Sequence, residues 1–251
     1  MLMHLRILGL ALLLALVSAA NAEAVYTIVG TPNCEAGGIN SVTTTAVNST
    51  GADGLILSVA WYPGGTTPTL TDTGSNSFTG LTARNNGNLT TRLFYDVGGL
   101  TTNASHTITA TGSGAAPSVC YVFVSGSGEF GLESGSSGSA SSGAPGSLTP
   151  ACNDNLVISG LGTEGNSGAM TPDSSPTGSD YIGFSSGNNE GGGIGWWIQT
   201  TAAALNPTWS WGTSVSYGVT LATFPPSGGC AAGGAAPPDS GLRLRGMGNG
   251  R

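Results

Sequence analysis

The chain contains no lysine, and its six basic residues, all arginine, face thirteen acidic ones. Charged residues make up only 8% of it. Nucleic-acid binding draws on counterion release by a basic face, and attraction to anionic lipid needs the same feature, so both partner classes are excluded for the exported chain. Helix-favouring composition is also missing. With 43 Gly, 30 Ser and 30 Thr, the chain is rich in residues that sit below Ala, Leu, Glu and Lys in helix propensity. Histidine occurs only as His4 and His106, and the cysteines show no C-x-x-C spacing, so neither a metal nor any other cofactor is expected.

Long apolar runs are absent except at the start. There Arg6 precedes the apolar stretch Ile7 to Val17, which ends in Ser18-Ala19-Ala20-Asn21-Ala22. A basic residue, a short apolar core and a small-residue exit define a secretory signal peptide over residues 1–22, and the core is too short to span a bilayer. The mature chain is expected to begin near Glu23, outside the cytoplasm. It keeps five arginines against thirteen acidic residues, a formal charge of −8.

What is present reads as strands. Short runs of Thr, Val, Ile, Tyr and Trp broken by Gly, Asn, Asp and Pro recur at intervals of roughly 12 residues, the pattern of an all-β sandwich. Asn40 to Val47 alternates, and Leu55 to Trp61 is apolar enough for a central strand with Leu55, Leu57, Val59 and Trp61 facing one way. Thr69 to Asp72 and Ser77 to Leu81 flank Thr73-Gly74-Ser75-Asn76 as a hairpin candidate. Thr91 to Val97, Ser105 to Thr111 and Ser118 to Ser125 continue the series, with Val119, Tyr121 and Phe123 on one side. Later strands are expected at Asn155 to Leu161, Asp180 to Ser185, Gly193 to Thr200, Pro207 to Gly212 and Val215 to Phe224. The Gly/Ser-rich stretch 126–146 has linker chemistry and is expected as a long surface loop. One β-sandwich domain over 23–226, of about 12–14 short strands, and a disordered Gly/Ala/Pro-rich tail over 227–251 complete the expected layout.

Cys34, Cys120, Cys152 and Cys230 all follow the cleavage site, and an even count in an exported chain implies two disulfides. Four cysteines allow three connectivities. Pairing Cys34 with Cys230 would staple the chain ends, and Cys120 with Cys152 would close the Gly/Ser stretch, which is the expected arrangement.

Several short motifs occur in order between Ile39 and Phe224. They are Asp72-Thr73-Gly74-Ser75-Asn76-Ser77-Phe78-Thr79, His106-Thr107-Ile108-Thr109, Ile198-Gln199-Thr200-Thr201-Ala202 and Pro207-Thr208-Trp209. With them the chain resembles a loose set of exported and phage-associated β-sandwich proteins. The resemblance implies a single antiparallel sandwich of jelly-roll type, similar in outline to the concanavalin-like lectins. It implies no activity and supplies no catalytic residues.

Candidate chemistry is sparse. Gly183-Phe184-Ser185-Ser186-Gly187 has the spacing of a nucleophile elbow, but the elbow needs a helix directly after the Ser and a His later in the chain. Asn188 to Gly193 reads as flexible, and His106 comes earlier. His106, inside a Thr-rich strand, is expected to be a packed or half-exposed strand residue, because no base or second ligand lies near it in sequence. Glu129 and Glu133 fall in the Gly/Ser stretch, while Asp72, Asp96, Asp154, Asp173 and Asp180 sit mostly at strand ends and turns, where Asp serves turn chemistry. Asn48-Ser49-Thr50, Asn88-Leu89-Thr90 and Asn103-Ala104-Ser105 have the form of glycosylation sequons.

Trp196, Trp197, Trp209 and Trp211 form the densest cluster of large aromatics. On strands, Trp196 and Trp197 point to opposite faces and Trp209 and Trp211 to the same one, so a sheet buried on one face would leave an indole exposed as a sugar-stacking platform. Burial in the core is the competing expectation. The composition as a whole leads us to expect an exported, non-enzymatic sandwich for assembly or adhesion at a cell, matrix or virion surface, with glycans or self-assembly partners as ligands. A lectin-like module and a secreted glycosidase are the alternatives.

Overall fold

In a computed structural model, residues 26–165, 168–183 and 190–230 are described. The signal-peptide segment 1–22 lies outside them, as do the tail from residue 231 onward and most of the elbow-like motif. Fifteen strands run through the described residues, and every pairing is antiparallel. In chain order they are β1 (Thr27–Ala36), β2 (Ser41–Thr43), β3 (Gly54–Trp61), β4 (Thr69–Asp72), β5 (Thr79–Gly80), β6 (Arg84–Asn85), β7 (Thr90–Val97) and β8 (Ile108–Thr111). There follow β9 (Ser118–Ser125), β10 (Glu133–Gly143), β11 (Asn155–Thr163), β12 (Thr171–Pro172), β13 (Gly178–Ile182), β14 (Gly191–Gln199) and β15 (Trp209–Phe224).

The strands form an all-β sandwich with three layers. The central sheet has the order β1-β9-β3-β7-β5 with β6 also on β7; a second large sheet has the order β10-β15-β11-β14-β13 with β12 also on β15; a small sheet is β2-β8-β4. Alternation on β3 decides the layering. Its odd residues Leu55, Leu57, Val59 and Trp61 pack with Val42, Ile108 and Ala110 of the small sheet, as one cluster with Val119, Tyr121 and Phe123. Its even-numbered Ile56 packs the other way, with Val122 and Val124 of β9, onto Leu156, Ile158, Ile194, Trp196 and Phe224 of the second large sheet. A strand buried on both faces must be apolar at every position, which is why Leu55 to Trp61 is a continuous apolar run apart from Ser58.

Four expectations are corrected. Cys34 is bonded to Cys120 and Cys152 to Cys230, not Cys34 to Cys230 and Cys120 to Cys152. The cause is register: Cys34 and Cys120 are direct cross-strand partners in β1 and β9, and Cys152 and Cys230 lie just outside paired ends of β11 and β15. Each bridge therefore fastens neighbours within one large sheet. Second, the Gly/Ser stretch is no long loop, because Glu133–Gly143 is an edge strand paired with β15, in one register from Glu133↔Ala222 to Ala140↔Val215 and, after a bulge, in a shifted one at Ser142↔Ser210 and Gly143↔Trp209. Third, β4 and the segment after it do not form a hairpin: β4 pairs β8 in the small sheet, whereas β5 pairs β7 in the central one. The turn between them crosses layers. Fourth, Pro207 to Gly212 and Val215 to Phe224 do not form separate strands, since β15 runs unbroken from Trp209 to Phe224. Of the expected tail, Ser227 to Cys230 are tied down, by the Ser227 N–H on Gly126 O (2.9 Å) and by the second disulfide.

Candidate functional site

All four clustered tryptophans lie in the interior, between 0 and 8% exposed. Trp196 and Trp197 do point to opposite faces of β14, but both faces are covered. Trp196 joins the cluster between the two large sheets, and Trp197 packs with Leu148, Val157, Leu205 and Leu221 on the far side. Trp209 and Trp211 share that far side with Leu161, Met170 and Val219. Three indole N–H groups are spent internally: Trp197 donates to Ser174 O (2.9 Å), Trp209 to Ser159 Oγ (2.9 Å) and Trp211 to Ala140 O (3.0 Å). Gly193 and Gly195 provide the flat bed on which the Trp209 ring lies, since a Cβ on Gly193 would stand 3.0 Å from it. No face of these four rings is open for a sugar to stack on.

His106 stands in an unanticipated network. Its Nδ1 is 2.9 Å from Ser49 Oγ and its Nε2 is 2.7 Å from Asp72 Oδ2. These are the residue types of a hydrolytic triad. The setting, however, is that of a fastener. The His106 and Asp72 side chains are 0% exposed, Ser49 is equally buried, and the Ser49 hydroxyl accepts from Asn103 N–H at 3.0 Å. Asp72 accepts from Asn76 N–H (2.8 Å) and Asn76 Nδ2 (2.6 Å), and Asn76 Oδ1 accepts from Thr101 N–H (2.7 Å). The His106 ring meets Phe123 edge-on at 4.9 Å. Segments 47–50, 72–76 and 101–107 are thereby tied to one another beside the small sheet. Gly74 is required at its turn, because a Cβ there would collide with Thr101 O and Asn76 Nδ2 and crowd the His106 ring.

The other expected acidic residues are distributed rather than gathered. Asp173 accepts from Thr208 N–H and Ser174 Oγ as a turn fastener, and Asp53, which was not among the sequence candidates, does the same with Gly126 N–H, Ser127 N–H and Ser127 Oγ. Glu133 holds Thr82 across the two large sheets, while Glu129 is exposed. Burial raises the carboxyls of Asp96 and Asp180 above their ordinary range. Among the described residues no group of three or more His, Cys, Asp or Glu is assembled to hold a metal. Glu190 is a residue the sequence did not single out. Glu190 is buried, and burial first and the neighbouring Glu164 second push its carboxyl up to about 8.

Surface depressions are shallow. A groove of about 570 Å³ runs between Val97, Ser127, Phe130 and Pro225, and another of about 410 Å³ lies between the irregular stretch of β1 near Thr31 and the segment Thr45 to Asn48. Large exposed apolar side chains are scattered as Ile39, Tyr62, Leu132 and Tyr181.

No protein-family model matches the chain, and no curated protein does. Among solved structures, the crystal structure of the PBSX exported protein XepA aligns with 81% of this chain and 88% of its own at 12% identity. The TM-score is 0.18, too low to establish a common fold.

Proposed function

We propose that the protein is an exported, structural β-sandwich used for assembly or adhesion at a cell, matrix or virion surface. The observation that carries this reading is the sealed Ser49, His106 and Asp72 network, in which the groups best suited to chemistry fasten three chain segments together. Two disulfides, one within each large sheet, support an oxidising location outside the cytoplasm. The indoles that would have made a lectin face are used for packing, which supports a scaffold over a glycan reader.

The test uses the exported chain in four parallel measurements: labelling by a fluorophosphonate probe, turnover of ester and glycoside substrates, retention on a glycan array, and sedimentation with and without intact surfaces. The expected result is no adduct, no turnover and no glycan retention, together with self-association or retention on a surface. Turnover lost in Ser49→Ala would make the protein a hydrolase, glycan retention would make it a lectin, and either would overturn the proposal. So would a monomer retained on no surface.

A further inference from the structure

The edge strand β10 is short of apolar side chains, since apart from Glu133 and Ala140 it consists of Ser and Gly. Burial of apolar area therefore does little to hold it. Backbone pairing to β15 fixes one side, and a row of polar ties fastens it to the segment 82–86 at the edge of the central sheet. Thr82 N–H donates to Glu133 Oε2 at 3.0 Å, and Ser137 Oγ donates to Asn85 O at 2.8 Å. The Asn86 side-chain amide donates to Gly138 O and, at 3.1 Å, to Ser139 Oγ. These last two ties use the amide NH2, a donor that a carboxylate lacks.

The residue after Asn86 answers a different demand. A turn through Asn86, Gly87, Asn88 and Leu89 joins β6 to β7, closed by Asn86 N–H on Leu89 O at 2.9 Å and by Asn88 N–H on Asn86 O. Gly87 stands there at a φ of +60°, in the left-handed region. A Cβ on it would meet nothing within 4 Å, so backbone conformation rather than space calls for glycine. Two separate requirements, an amide for Gly138 O and a glycine for the turn, thus set Asn and Gly side by side. Gly87 is exposed, its N–H donates to no backbone carbonyl among the described residues, and it has no side chain to shield that nitrogen from the Asn86 side chain. Asp53-Gly54 is the opposite case. Gly54 is buried in β3, and the Asp53 carboxylate is held by Gly126 N–H, Ser127 N–H and Ser127 Oγ, so ring closure there would break the ladder.

We propose that Asn86-Gly87 is a self-modifying site whose deamidation unfastens β10 from the central sheet. Asn is among the thermolabile residues, and glycine after it leaves the attack unhindered. The Gly87 nitrogen bonds to Asn86 Cγ, the Cγ–Nδ2 bond breaks, and Nδ2 leaves as ammonia, taking up by way of solvent the proton that Gly87 gives up. One water molecule then opens the cyclic imide at either of its two C–N bonds, and the new carboxyl, that of aspartate or isoaspartate, ionises. Nothing is oxidised or reduced. A carboxylate at 86 accepts and does not donate, so it repels Gly138 O where the amide had held it. Isoaspartate also lengthens the backbone by one carbon inside a closed turn. This goes beyond the scaffold role and does not depend on it.

The test ages the purified, disulfide-bonded chain at pH 8 and 37 °C beside a synthetic peptide of residues 82–92, which lacks the fold. Peptide mapping by mass spectrometry separates Asn86 from Asn249-Gly250, the chain's other Asn-Gly pair, and fragmentation tells isoaspartate from aspartate. Measurable conversion of Asn86 in the folded chain is expected by the time the peptide is consumed. Amide hydrogen exchange over Gly138–Gly143 should then rise several-fold above that of the fresh chain, while exchange in β3 and β9 stays as it was. Asn86→Asp should show the faster exchange from the start. Asn86→Gln, which keeps the NH2 and cyclises slowly, should hold the exchange of the fresh variant throughout. An Asn86 left intact when the peptide has been consumed would overturn the site, and conversion without faster exchange over Gly138–Gly143 would overturn the unfastening. Should Asn86→Gln not fold, fresh against aged wild type decides alone.

Discussion

At one end of the interface between the two large sheets, Ile56, Val122 and Val124 interlock with Ile158, Trp196 and Phe224. At the other, Gly162, Gly192 and Gly218 lie against Ala60, Thr91 and Ser118. The first end is held by apolar area removed from water. The second relies on close approach, since stacked sheets stand about 10 Å apart when ordinary side chains separate them and glycines remove that spacer. One interface thus has an end that is sensitive to losing atoms and an end that is sensitive to gaining them.

The largest effect expected from breaking this contrast is at the apolar end. Phe224 is fully buried and meets Tyr95 and Phe130 edge-on at 5.6 and 6.2 Å. Phe224→Ala should cost about 3 to 5 kcal/mol through lost burial and the cavity left behind. Urea denaturation of the oxidised protein measures it, and a midpoint within error of wild type would show that this end is not what holds the sheets together.

Smaller, and of opposite steric origin, is the effect at the glycine end. A Cβ on Gly162 would collide with Thr91 Oγ1 and stand 2.7 Å from Ala60 Cβ, neither of which has a flexible end that can move aside. Gly162→Val should therefore destabilise by about 1 to 3 kcal/mol by overpacking. If the same denaturation curve were unchanged or moved upward, the seam would have slack, and the close-approach account would fail.

How much of this was legible beforehand follows from what side-chain patterns encode. Alternation identified β3 and β9 and put Leu55, Leu57, Val59 and Trp61 on one face of the first and Val119, Tyr121 and Phe123 on one face of the second; that these two faces form a single cluster is visible only in the fold. It also put Trp196 and Trp197 on opposite faces. It could not tell that both faces are covered, because the covering layers come from chain far away. Ser and Gly residues in β10 carry no hydrophobic period and have linker propensities, yet β15 offers a ladder along most of the segment, broken only by a bulge near Ser141, and backbone pairing overrides propensity there. Disulfide connectivity depends on strand register, which four cysteine positions do not contain. Similarly, Ser49 and Asp72 are 57 and 34 residues from His106, so no local motif announces their meeting. Glu190 lies inside Asn188 to Gly193, a stretch that reads as flexible, and only the fold shows it buried.

The smallest expected effect sharpens the comparison most, because it separates steric fit from polarity at the glycine end. Thr91 Oγ1 is buried and has no hydrogen-bond partner, as is true of Ser58 Oγ and Ser118 Oγ along the same seam. An unpaired hydroxyl loses its hydrogen bonds to water on folding and gains none, a cost of roughly 1 to 3 kcal/mol in protein mutational data. Thr91→Val removes that cost and keeps the branched shape. The new methyl is slightly larger than the oxygen in a place where Gly162 and Gly218 already approach closely, so part of the gain is lost to crowding. The two terms nearly cancel, and Thr91→Val should change stability by less than about 1 kcal/mol, with stabilisation the expected direction. Denaturation midpoints of Thr91→Val and Gly162→Val measured together make the distinction. A loss in Thr91→Val as large as that in Gly162→Val would mean that the hydroxyl is engaged in the folded protein, and that the seam is held by hydrogen bonding rather than by the close approach of its glycines.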